Sequence, residues 1–173
     1  MGFLKKLIAL LVLFAIGYFV GQQLGVIGTT SSMIQAIDTK YGIDEGKLVP
    51  GDPVELIRYE RELRGLEAGN SQEVALVELK LELVEMQKAM LEFSENSSGI
   101  DFDDVDCRTS GAIIKSRNNL EEALEYAQNA VRKKNGVRGL EGFRYITSSE
   151  FEDTMNQVTS SLESNINVLK TVC

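Results

Sequence analysis

The chain has 173 residues, 43% hydrophobic and 25% charged, with a formal net charge of −8. Only two prolines accompany that aliphatic content, so the composition predicts folded material rather than a disordered chain. Histidine is absent, which excludes Ser-His-Asp and Cys-His catalysis, histidine proton relays and any metal site that needs an imidazole. Two cysteines, Cys107 and Cys173, cannot build a four-cysteine zinc site.

The first element in chain order is apolar. Lys5 and Lys6 precede a stretch from Leu7 to Gly28 that holds 22 residues and no charge. As a helix it spans roughly 33 Å, enough for a hydrocarbon core of about 30 Å. Residues 1–28 therefore read as a short stub and a transmembrane anchor. The competing reading is a signal peptide cleaved after Val26-Ile27-Gly28, although the Ala-x-Ala pattern is missing. Gly17, Gly21 and Gly25 recur every four residues and line one helix face, where a second helix can approach closely. The alternative is that glycine is simply common in membrane helices. Lys5, Lys6 and the terminal amine face only Lys40 in the fifteen residues after Gly28. That bias puts the N-terminus in the cytoplasm and the C-terminal part outside the cell membrane.

All 26 acidic residues but only 16 of the 18 basic ones lie beyond residue 28, a formal charge of −10 there. This argues against a nucleic-acid partner, which needs a positive field. Residues 29–52 read as a linker with a short helix near Ser31–Tyr41, and residues 53–173 as a bundle outside the cytoplasm. Asp52-Pro53 opens a helix reaching about Glu67, with Gly69 as its stop. Ser71 is expected to cap the next, running to about Ser94, whose Leu76, Leu79, Leu83, Met86, Met90 and Phe93 step by threes and fours like the seam of a coiled coil. A further helix covers about Thr109–Lys134, with Ile113, Leu120, Leu124, Ala127 and Val131 as its stripe. The last opens at Ser149, with Glu152 completing a capping box, and buries Phe151, Met155, Val158, Leu162, Ile166 and Leu169. The expected fold class is all-α: a single N-terminal transmembrane helix, then an antiparallel bundle of three long helices plus one or two shorter ones.

If the last two helices are antiparallel and matched in length, Cys107 and Cys173 arrive at the same end and a disulfide between them is expected, in keeping with an oxidising exterior. Two unpaired thiols in a reducing compartment are the alternative. Asp101 to Asp106 concentrates four carboxylates in six residues, but Val105, Asp106 and Ala112 break the calcium-loop spacing, so no metal site is assigned. Nor is any cofactor expected.

The stretch from Arg132 to Tyr145 differs in kind. Arg132, Lys133, Lys134, Arg138 and Arg144 interleave with Phe143 and Tyr145 and are broken by Gly136, Gly139 and Gly142. One reading is a basic, aromatic loop that contacts a protein partner or anionic lipid headgroups. The other is lysines facing a helix C-terminus while aromatics cover the bundle end. The functional expectation is a non-enzymatic single-pass protein whose partners are the bilayer and another protein, or a second copy through the anchor, as a structural or accessory subunit. A small-ligand sensor of helical-bundle type and a secreted helical protein are the alternatives.

Overall fold

The computed structural model of the chain describes residues 30–43, 47–98 and 111–172. Five α-helices appear among them: α1 (Thr30–Lys40), α2 (Pro53–Arg64), α3 (Ser71–Ser97), α4 (Gly111–Lys133) and α5 (Ser149–Val172). Two 3-10 turns, Lys134–Val137 and Arg144–Thr147, join α4 to α5. The described residues include no β-strand, and none of their helices is long and apolar enough to cross a membrane. The apolar stretch with Gly17, Gly21 and Gly25, the acidic stretch 101–106, and Cys107 and Cys173 all lie outside the described residues.

Local chemistry sets the helix ends, in places one turn or one residue from where the sequence suggests. Asp52 accepts hydrogen bonds from the Val54 and Glu55 N–H groups, with Pro53 at the first helical position. The stop falls at Gly65 rather than Gly69, because the Gly65 N–H bonds the Arg61 and Glu62 carbonyls. Asn70, not Ser71, caps α3: its side-chain oxygen accepts from the Gln72 and Glu73 N–H groups. Likewise Ser148, not Ser149, caps α5, accepting from the Phe151 N–H at 3.2 Å. Glu152 makes an ion pair with Lys134.

Helix α3 pairs most extensively with α4, and α5 packs on α4. Opposed ion pairs show that α4 and α5 run in opposite directions: Lys134 at the end of α4 meets Glu152, while Lys170 at the end of α5 meets Glu121 at 3.4 Å. The α4 seam is Ile113, Ser116, Leu120, Ala123, Ala127 and Ala130, all buried. Leu124 and Val131, expected there, sit half-buried at its shoulders. The steps alternate three and four, and the small residues let the two backbones close up. After α4 the chain stays tight against α3, since a Cβ at Gly136 would come within 2.7 Å of the Ala75 Cβ.

Helix α1 belongs to this packed body. Ile34 is fully buried, and Ile43 and Val49 join the same core as Leu56, Tyr59 and Leu63 of α2. Ion pairs stitch α2 to α3, with Glu60 meeting Lys88 at 2.5 Å and Arg64 meeting Glu85 at 3.0 Å.

Candidate functional site

The basic, aromatic stretch is divided by the fold. Phe143 is 1% exposed and lies in the core, and Tyr145 is half-buried against it. Lys133 is held by Glu78 at 2.8 Å and Glu82 at 3.4 Å, and Lys134 by Glu152. The hydrogen bond that Lys133 donates to Glu78 raises its ammonium above its ordinary range. Arg132 donates to Asn129 Oδ1. Arg138 and Arg144 are exposed. Its glycines serve the turn: Gly139 and Gly142 have φ of +94° and +84°, a region that L side chains rarely adopt.

Four elements meet at a buried polar node that the sequence reading does not single out. Lys80 of α3, 1% exposed, pairs with Asp38 of α1 at 2.7 Å. The second Asp38 oxygen accepts a 2.7 Å hydrogen bond from the Tyr59 hydroxyl of α2. Lys80 also donates to the Tyr145 hydroxyl at 3.2 Å, and its ammonium lies 5.7 and 5.9 Å from the Phe143 and Tyr145 ring centres. Burial pulls the Lys80 ammonium below its ordinary range, with Asp38 opposing. Burial also pushes the Tyr59 phenol well up, and the neighbouring Asp38 charge adds to this. The buried ammonium is therefore paired with a single carboxylate, with two aromatic rings beside it. A second buried acid, Glu73, accepts from the Gly69 N–H at 2.9 Å and the Ser31 N–H at 3.2 Å, tying the start of α1 to the start of α3.

A second feature is a groove. Helices α3 and α5 both pack on α4 but make no close backbone contact with each other. Between them Met90 and Phe93 of α3, Leu120 of α4, and Val158 and Leu162 of α5 line a cleft of 330 Å³. Thr154, Gln157, Ser161 and Asn165 form its uncharged polar rim. Met90, expected in the seam, is exposed beside it.

This chain matches no family model, no curated protein and no solved structure.

Proposed function

We propose that the chain is a non-enzymatic, single-pass membrane protein whose helical bundle acts outside the cytoplasm as an accessory subunit, receiving one helix of a protein partner. The observation that carries this reading is the α3–α5 groove. Two long helices stand apart across α4 with apolar side chains between them, a cleft that one further bundle helix would cover. The stretch of α5 along it, Thr154 to Asn165, is three turns long. An occupant helix would bring aliphatic side chains at helical spacing and, given the uncharged rim, need no charged partner residues.

Support for the anchor comes from the charge-free run ending at Gly28. Helix α1 begins two residues later and is packed into the bundle, so an anchored chain would hold its bundle against the membrane surface without a free spacer. Gly17, Gly21 and Gly25 would let the anchor pair in the bilayer. The ion pairs Lys134–Glu152 and Lys170–Glu121 make α4 and α5 antiparallel, and a disulfide between Cys107, before α4, and Cys173, after α5, belongs to this reading.

A photocrosslinking residue placed at Ser161 in the groove, with a control at Glu163, tests the reading in intact cells. One protein adduct of constant mass at Ser161, lost in Met90→Glu and missing at Glu163, is the expected result. An adduct of twice the chain's own mass would assign the groove to a second copy. The groove volume also reaches the lower end of the range for small-molecule pockets, about 300–1,000 Å³. No protein adduct, together with thermal stabilisation by a small apolar compound, would favour that ligand-binding reading instead.

A further inference from the structure

The buried node has the composition of a binding site whose ligand is part of the chain. Its donors to the carboxylate are Lys80 Nζ and the Tyr59 hydroxyl, carried by α3 and α2. The Tyr145 hydroxyl of the second 3-10 turn accepts from Lys80, and the carboxylate, Asp38, comes from α1. The donors are organised independently of α1: α2 is fixed to α3 through the ion pairs Glu60–Lys88 and Arg64–Glu85, and Phe143 beside Lys80 lies in the core.

Both oxygens of one carboxylate are used, each by a different donor at 2.7 Å. A neutral carbonyl or hydroxyl could accept from both donors but would bring no charge opposite the ammonium. The Lys80 ammonium is 1% exposed with two aromatic rings beside it, so a carboxylate paired with it offsets much of the cost of burying the charge. The hold on α1 is otherwise thin. Thr30, Ile34 and Asp38 are its only buried residues, and Ile34 is the one apolar side chain among them. Its remaining attachments are the half-buried Ile37 against the core and contacts along the surface or at its ends, such as Gln35 to the Glu141 carbonyl and Lys40 to Glu62.

We propose that Lys80, positioned by its hydrogen bond to Tyr145, and Tyr59 form a carboxylate-binding site that Asp38 fills from within the chain, making α1 a strap latched by its own pseudo-ligand. A carboxylate presented by another molecule competes with Asp38 for the same donors and releases α1 from the bundle.

Chemical rescue tests this with the full-length protein in detergent. Asp38→Gly removes the internal carboxylate and leaves room for a free one. Formate or acetate should then raise its thermal midpoint in a saturable way, by about 5 °C or more at saturation, while chloride at equal ionic strength does not. Asp38→Gly combined with Lys80→Met should show no such response. A synthetic peptide of residues 30–40 is the second arm: rescue by the peptide but not by formate makes the ligand a protein-borne carboxylate, and rescue by formate alone makes it a free acid. In the unsubstituted protein, the effective carboxylate should speed amide exchange in α1 and leave α4 unchanged. Equal effects of carboxylates and chloride, or an equal response when Lys80 is replaced, would overturn the proposal. Should Asp38→Gly not fold, Asp38→Asn is read in the same way, and failure of both to fold in excess formate counts against it equally.

Discussion

Gln35 of α1 occupies the space that a side chain at Gly142 would need: a Cβ there would lie 1.5 Å from the Gln35 Nε2. The same glycine has a φ of +84°, so the backbone disfavours a side chain there, while the amide end of the exposed Gln35 side chain would have to move aside for one. Gly142→Ala should cost about 1–3 kcal/mol in urea unfolding. Adding Gln35→Ala should recover the steric part and leave the cost of the left-handed backbone. Full recovery would mean that the backbone conformation is not strained.

Lys80→Met leaves Asp38 buried beside an apolar side chain. A broken buried pair costs about 3–5 kcal/mol, and that loss is expected here. Replacing both partners, Asp38→Leu with Lys80→Met, should restore most of it, because two desolvated charges disappear together. Denaturant midpoints of the two single variants and the double variant check the claim; additive losses would contradict it.

Much of this fold is legible in the sequence. The three- and four-residue steps of Leu76, Leu79 and Leu83, and of Leu162, Ile166 and Leu169, identify buried faces that the structure contains. The α4 face was harder to read, since Ser116, Ala123 and Ala130 carry too little apolar surface to outweigh Leu124 and Val131. What close helix packing requires is small size, which hydropathy does not register. The polar node was missed for a related reason: a charge on an amphipathic helix reads as solvated. A usable signal exists nonetheless. Lys80 is four residues from Leu76 and Val84, and Asp38 four from Ile34, so each charge falls on its helix's apolar face and the two have opposite sign. The basic stretch divides in the structure: Phe143 lies in the core, Lys133 and Lys134 are held by acids on neighbouring helices, and Arg138 and Arg144 are exposed. The groove was invisible, since it depends on α3 and α5 standing apart.

The cap assignments separate two adjacent residues. Asn70→Ala should destabilise the protein by about 1 kcal/mol, the usual value of a lost N-cap, because two α3 N–H groups lose their acceptor. Ser71→Ala should change stability by only a few tenths of that. Thermal midpoints of the two variants decide it, and the opposite order would return the cap to Ser71.

Acid sensitivity should follow Glu60. Burial pushes its carboxyl up, but the hydrogen bonds from Lys88 and Arg64 and their charges outweigh burial and hold it below the usual 4.5. A folded value below the unfolded one contributes stability that is complete above about pH 4.5 and is lost as the pH falls through the folded value. Glu60→Gln should therefore flatten the acid limb of the stability profile below pH 4.5 while lowering the neutral plateau by about 1 kcal/mol. An unchanged acid limb would show that other carboxylates dominate.

The central claim is that an apolar N-terminal segment stays attached and carries a packed helical domain at the membrane surface. Intact mass of the protein recovered from alkaline-washed membranes tests it most directly. The account predicts a polypeptide that retains residues 1–28 and sediments with the bilayer. A mature chain that begins at Thr29 and is released by the wash would contradict it.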